Sequence, residues 1–254
     1  MTLRHAVTID FHDTLFQCDE WFLLEVRDLP VRFLSWLGEQ SGGNVCATTP
    51  EEIAGLYREI RVAAIDGGIE VDSNECVKRI CAQVDVRVDD AEIERGVDLI
   101  MRETLSTSRP RPGVSELVES LHSAGVKLGV ISNAIHHPFL EWSLENSGLL
   151  DKFDLVLSSA KAGYYKSRVE LYHLAAELLA VMPEQTIHIG DSYRFDVEGA
   201  ARAGMRTVWL NLNGAPQQQL RPDLEVPTLE GLAPQILDML QTKPLPPQRA
   251  PHAN

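Results

Sequence analysis

Little in this chain points to redox, zinc or membrane chemistry. Cysteine is scarce: Cys18, Cys46, Cys76 and Cys81 are the only four, and no two are spaced as Cys-x-x-Cys. Without that spacing, neither a zinc knuckle nor a dithiol redox centre is expected. Positive charge is also short, with 23 Lys and Arg against 37 Asp and Glu and a formal net charge of -14. An acidic surface repels phosphate backbones, which argues against a nucleic-acid partner. A small phosphorylated molecule is not excluded, because one local cation can overcome the global sign. No apolar run reaches the ~20 residues that span a bilayer. The start, Met1-Thr2-Leu3-Arg4-His5, shows no signal-peptide pattern. The expected setting is the cytoplasm, with reduced thiols and no membrane partner.

What is present is a large apolar fraction, 44% over 254 residues, enough for one domain with an insertion or for two. A first β-branched run, Val7-Thr8-Ile9, leads to Asp10. From Phe16 to Arg109 the pattern is helical. Trp21 to Leu37 is strongly apolar, Ile53, Leu56, Tyr57, Ile60 and Ala64 keep helical spacing, and so do Ile93, Val97, Ile100 and Thr104. Thr48-Thr49-Pro50 before Glu51 and Glu52 marks a capped helix start, and Gly67-Gly68 its end. Ser108-Arg109-Pro110-Arg111-Pro112-Gly113 reads as a hinge. Beyond it, helices and strands alternate. Strands are expected at Val126–Ile131, Phe153–Leu157, Thr186–Ile189 and Arg206–Leu210. Helices are expected at Val114–Ala124, Pro138–Asn146, Arg168–Leu179, Asp196–Ala203 and Leu229–Leu240. Such alternation implies a parallel sheet covered on both faces, with ligands at the carboxyl ends of its strands. The proline-rich stretch 243–254 is expected to be a disordered tail.

Four segments carry chemistry. Asp10-Phe11-His12-Asp13-Thr14 places a carboxylate at a strand end, where it can act as nucleophile or metal ligand. Val126–Ile131 runs into Ser132-Asn133. Lys166 precedes a helix that Ser167 can cap, with Lys161 as the competing lysine. Ile187-His188-Ile189-Gly190-Asp191 is an apolar strand ending in Gly-Asp, with Asp196 five residues on. A carboxylate at a buried strand end is costly unless cations or donors compensate. Together, in this order, the four segments resemble the motifs of the haloacid dehalogenase-like hydrolase superfamily. The resemblance covers about Val7 to Leu210.

That resemblance implies an α/β fold: a three-layer Rossmann-like core with a central parallel sheet, formed by residues 1–15 and 110–242, and an α-helical cap at 16–109. It also implies a Mg2+-dependent hydrolase of a small phosphorylated metabolite. Asp10 would form a phospho-aspartyl intermediate, and Thr14 belongs to the same motif. Ser132, Asn133 and Lys166 would hold the phosphoryl group. Asp10, Asp191 and the main-chain carbonyl of His12 would hold the metal, with Asp196 steadying it or orienting Lys166. His12 departs from the family pattern, which has an acid/base Asp there. An unperturbed imidazole titrates near ~6.5, so His12 is expected to take over the proton transfer. Asp13 is expected to point away and tighten the turn.

Three other readings stand beside this one. Haloacid dehalogenases also lack the second Asp, but Asp191 argues against that metal-independent branch. Phosphonate-cleaving members need a cap lysine, and Lys78 is the only one available between Phe16 and Arg109. A non-catalytic member that binds a metal, metabolite or partner is the third. Of the remaining residues, His136 and His137 read as surface loop, His188 as a satisfied core histidine, and Trp21 and Trp36 as cap core. Arg109 and Arg111 read as solvated linker charges, and Arg194 as a salt-bridge former. Oligomeric state is not legible.

Overall fold

The computed structural model describes residues 5–216 and 219–242. The expected tail at 243–254 lies outside them. Among the described residues, eight strands occur in chain order: β1 (Ala6–Ile9), β2 (Phe16–Cys18), β3 (Ser108–Pro110), β4 (Lys127–Ser132), β5 (Leu155–Ser158), β6 (Thr186–Gly190), β7 (Arg206–Leu210) and β8 (Leu224–Val226). Six of them form one sheet in the order β5-β4-β1-β6-β7-β8, and every pairing in it is parallel. Parallel strands must be covered on both faces, so they read as continuous apolar runs. All four residues of β1 and all five of β6 are buried.

The chain leaves β1, builds β4 and β5 on one side, then crosses to β6 on the other. Ile9 is therefore level with both Val130 and Ile189. That reversal opens a crevice at the carboxyl end of β1, where open α/β sheets bind ligands. Helices Val114–Ser123, His137–Asn146, Val169–Leu178 and Ala233–Gln241 pack around the sheet. Gly125, Gly148 and Gly204 follow the ends of their helices with positive φ, the backbone that glycine adopts at least cost.

Two features differ from expectation. The segment expected as a helix from Asp196 begins earlier, as a π-helical run over Tyr193–Gly199 that turns α-helical at Ala200–Arg202. The edge strand β8 carries only three residues, too few for an alternating signal.

Between β2 and β3 the elements are helical, joined by short loops: Trp21–Leu23, a π-helical turn at Leu24–Asp28, Leu29–Ser41, Pro50–Gly67, Ser73–Gln83 and Asp90–Glu103, then a 3-10 turn. Thr49 and Glu52 form a reciprocal capping box with Pro50 in the first turn, and Gly68 ends that helix at φ 70°. Asp72 and Asp89 cap the next two helices through their side chains. The expected hinge is a two-stranded antiparallel ribbon, because β2 and β3 pair where the chain leaves and re-enters the sheet. Among the described residues no helix is long and apolar enough to cross a membrane.

The helical segment is seated on the sheet's carboxyl edge by main-chain hydrogen bonds. Tyr165 N donates to Gly68 O at 3.0 Å, Glu70 N to Gly163 O at 3.1 Å and Ser73 N to Ile135 O at 2.8 Å. Two expectations are corrected by this seam. His136 is not a surface residue: it is 3% exposed, and its Nδ1 lies 2.9 Å from Ser73 Oγ. Its place follows from the seam, which puts a helix start over the loop after β4. Trp21 packs beyond the helical segment, with its ring 4.3 Å from that of Phe139. Trp36 does stay within it, against Phe33.

Burial, with smaller contributions from His137 and Arg102, pushes His136 down to about 3 from 6.5. The unfolded chain therefore binds a proton that the folded chain refuses between those values. The stabilisation is complete above pH 6.5 and is lost as pH falls toward 3, with a limiting slope of about 1.4 kcal/mol per pH unit. Urea denaturation of His136→Gln from pH 7 to 4 is expected to show a shallower loss than the parent. Parallel pH profiles would contradict the buried neutral imidazole.

Candidate active site

Asp10 follows β1 directly, and its N–H donates to Ile189 O at 2.8 Å, which ties the strand end to β6. The next residues turn back. Phe16 N donates to Phe11 O and Asp13 N to Phe16 O, both at 2.8 Å. Asp13 sits at φ 59°, a conformation Asp tolerates better than most residues. Its exposed carboxylate lies 3.7 Å from Arg111. Arg109 is also exposed and pairs with Asp19 at 2.8 Å.

The turn brings Thr14 to β6. Thr14 Oγ1 donates to Asp191 Oδ1 at 3.1 Å and accepts from Asp191 N at 3.0 Å. Trp209 Nε1 donates to Asp191 O at 2.9 Å from the neighbouring strand. Asp196 reaches back over Gly190. A Cβ on Gly190 would meet the Asp196 side chain at 2.2 Å, so only glycine fits there. Asp196 Oδ2 accepts from Ser192 N at 2.9 Å, and Oδ1 lies 3.1 Å from His188 Nε2. His188 Nδ1 is 2.9 Å from Thr8 Oγ1, so the ring is buried with both nitrogens partnered. It was expected as a core histidine. Its contact with Asp196 places it behind the site, and an alternating strand position alone gave no sign of that.

Lys166 is 2% exposed and lies between two carboxylates. Its Nζ donates to Asp10 Oδ1 and, at 2.6 Å, to Asp196 Oδ1. Its own N–H donates to Asn133 Oδ1 at 2.7 Å, which links the loops after β4 and β5. The competing lysine, Lys161, lies elsewhere, 3.0 Å from His137 Nε2. Ser132 is fully buried at the end of β4, one residue beyond the level of Asp10 on the adjacent strand.

The charges explain one another. Burial would pull Lys166 down, but Asp10 and Asp196 hold its ammonium above the ordinary range. Burial also opposes ionisation of Asp196, yet Lys166 and the His188 hydrogen bond hold it at about 2. Burial raises Asp10 well above 3.8, only partly offset by Lys166, and Asp196 and Asp191 raise it further. Burial and then Asp196 push Asp191 up to about 6. One ammonium thus faces three carboxylates, with oxygen atoms of Asp10, Asp191 and Asp196 all within 4.8 Å of one another. An all-oxygen donor set with surplus negative charge fits a hard divalent cation.

His12 behaves differently from expectation. Its ring stacks on Trp21 at 4.8 Å and 19°, with Phe11 edge-on at 5.0 Å and Phe139 at 6.3 Å. Both ring nitrogens are buried and make no hydrogen bond among the described residues. Burial, helped by the charge on Lys166, pushes the imidazole down to about 3. The expectation of a histidine titrating near neutrality is corrected for this arrangement: the ring is neutral, because the aromatic box offers nothing to solvate a charge.

With this geometry in view, comparison with known proteins places the chain. A family model for haloacid dehalogenase-like hydrolases matches residues 6–204. The chain belongs to that family. It is 34% identical over 140 residues to haloacid dehalogenase-like hydrolase domain-containing protein 3 of Bos taurus, covering 54% of this chain and 55% of that one. It is 32% identical over 104 residues to glyceraldehyde 3-phosphate phosphatase of Methanothermobacter thermautotrophicus, covering 41% and 45%. The aligned stretches span about half the length of these curated relatives. A solved HAD phosphatase from Thermococcus onnurineus superposes with a TM-score of 0.60 at 25% identity, over 92% of this chain and 97% of that one. A 2-haloacid dehalogenase from Pseudomonas syringae superposes at 0.69 with 24% identity, over 93% and 99%, which speaks to the shared fold.

Within this haloacid dehalogenase-like chain, Gly190→Ala is the most direct test of the Asp196 position. The added methyl would drive Asp196 off Lys166 and His188. It is expected to cost at least about 2 kcal/mol in urea denaturation. A variant as stable as the parent would show that Asp196 does not rest on Gly190.

Proposed function

We propose that this protein is a Mg2+-dependent phosphatase acting on a small phosphomonoester. The observation that carries the reading is the convergence of Asp10, Lys166, Asp191 and Asp196 at the carboxyl edge of the sheet, with Lys166 bridging Asp10 and Asp196. Relatives named as phosphatases support the same reading.

Asp10 is the nucleophile. Its carboxylate oxygen attacks phosphorus in line, an Asp10–phosphoryl bond forms, and the bond from phosphorus to the ester oxygen breaks. The departing oxygen takes a proton from His12, protonated in the complex, and His12 regains one from the water that attacks next. Water then attacks the phosphorus of the phospho-aspartate, its bond to Asp10 breaks, and inorganic phosphate leaves with Asp10 restored. Lys166, Ser132 and Asn133 hold the phosphoryl oxygens, and the Lys166 ammonium offsets charge that accumulates on them. Asp196 and His188 keep that ammonium aimed at Asp10. Asp10, Asp191 and the main-chain carbonyl of His12 would hold Mg2+, with Asp196 beside them. When bound, the ion supplies positive charge against phosphate and carboxylates. The helical segment serves as a cap that excludes water from the reaction.

His12 occupies the acid/base position. Free of ligand it is neutral in its aromatic box. A bound phosphomonoester brings negative charge beside the ring, which raises its affinity for a proton and gives its unpartnered nitrogens an acceptor. The same box supports a second reading, in which the chain binds a phosphorylated metabolite without turning it over.

Phosphate release from a panel of small phosphomonoesters separates the two. Turnover with magnesium that disappears on chelation and in Asp10→Asn is the expected result. A folded protein inactive on every substrate favours the binding reading. His12→Ala is expected to slow turnover by about 10²-fold or more, the usual scale of general acid–base catalysis, with magnesium affinity by calorimetry nearly unchanged. An unaltered rate would remove His12 from the proton transfer.

A further inference from the structure

The helical segment holds a buried cation that the chemistry above does not use. Arg61, on helix Pro50–Gly67, is 2% exposed. Its Nη1 donates to Glu70 Oε1 at 2.5 Å and to Val71 O at 3.2 Å, and its Nη2 to Glu25 Oε1 at 3.2 Å. Neither carboxylate ends there. Glu25 Oε2 accepts from Trp21 Nε1 at 3.2 Å, and Trp21 is the ring stacked on His12. Glu70 Oε2 accepts from Ser159 Oγ at 2.6 Å, and that oxygen accepts from Ala134 N at 2.9 Å, the residue after Ser132-Asn133. The main chain on either side of Ile69 completes the set, since Gly68 O accepts from Tyr165 N, beside Lys166, and Glu70 N donates to Gly163 O. Tyr165 stands within electrostatic reach of Arg61, Glu25, Glu70 and Asp10 at once.

One guanidinium thus connects, through two carboxylates, to the core loops that carry His12 and Ser132-Asn133, while the main chain on either side of Ile69, next to Glu70, reaches the loop that carries Lys166. We propose that Arg61 is a positioning residue: with Glu25 and Glu70 it clamps those loops into their reactive arrangement while the helical segment is seated on the core. The inference rests on the phosphatase reading for its catalytic consequence, but the clamp itself is a property of the structure. Stability alone does not account for the triad. A buried ion cluster is commonly no better than apolar packing of the same volume, and the outer bonds of this one end on, or lead to, the site's loops. Arg61 is also suited to the task as arginine, since a planar fork engages two carboxylates in fixed directions where an ammonium cannot.

The test uses the full chain in three forms: Arg61→Lys, which keeps the charge; Ser159→Ala, which cuts the link to the loop after β4; and the uncharged triple Arg61→Met, Glu25→Gln, Glu70→Gln. Amide hydrogen exchange without substrate reads the clamp. Exchange at Ala134 is expected to quicken about 10-fold in all three, and at Tyr165 in the two Arg61 variants, while amides in β1 and β6 hold their protection. Turnover of the best phosphomonoester is expected to lose about 10-fold or more in kcat with KM within about 3-fold, because small misplacements near a reacting centre are costly. Unchanged exchange at Ala134 and Tyr165 overturns the proposal whether or not the protein is a phosphatase. Faster exchange with unaltered kcat, or a triple variant matching the parent in kcat, overturns the positioning role and leaves a structural ion cluster. Absence of turnover in the parent would refute the phosphatase reading, and the exchange result would still decide the clamp.

Discussion

The arrangement at the sheet edge depends on one buried ammonium. Lys166 is almost wholly withdrawn from water, and an isolated cation there would be very unfavourable. It is tolerated because Asp10 and Asp196 accept its protons from two sides. The reverse also holds: Asp196, fully enclosed, stays ionised because Lys166 and His188 face it. Asp10, Lys166 and Asp196 come from three separate stretches of chain, so the charge pairing is also a structural tie. Gly190 is required because Asp196 lies against its Cα, and Thr8 matters because it holds His188 from the far side.

One positive charge does not neutralise three carboxylates. Burial first, and then the surplus negative charge, raises Asp10 and Asp191 above their ordinary range, and the crevice suits a further cation. A phosphoryl group brings more negative charge to the same point, so a divalent ion and a phosphate are each more favourable there in the other's company.

His12 shows how context overrides a residue's ordinary chemistry. As a free side chain it would titrate in the physiological range. Between Trp21, Phe11 and Phe139 it is an aromatic wall whose two nitrogens find no partner among the described residues. The wall is shared between sheet and helical segment, so the surroundings of His12 and the seating of that segment are physically one problem. The Arg61 cluster approaches the same junction from the other side.

The sequence by itself determined most strands of the sheet and the carboxylates gathered at its edge. Apolar strands at regular intervals, helix-ending glycines and four ordered motifs are local signals, and each depends only on residues a few positions apart. They placed β1, β4, β5, β6 and β7, the capped helix at Pro50–Gly67, and Asp10, Lys166, Asp191 and Asp196. Tertiary structure alone decided what depends on distant segments meeting. The pairing of β2 with β3 needs partners ninety positions apart, and β8 is too short to announce itself. The burial of His136 needs a helix start laid over the loop after β4. The neutral state of His12 follows from burial among Trp21, Phe11 and Phe139, and the Arg61 triad from Glu25 meeting Arg61 and Glu70 in the fold, and no local pattern encodes either.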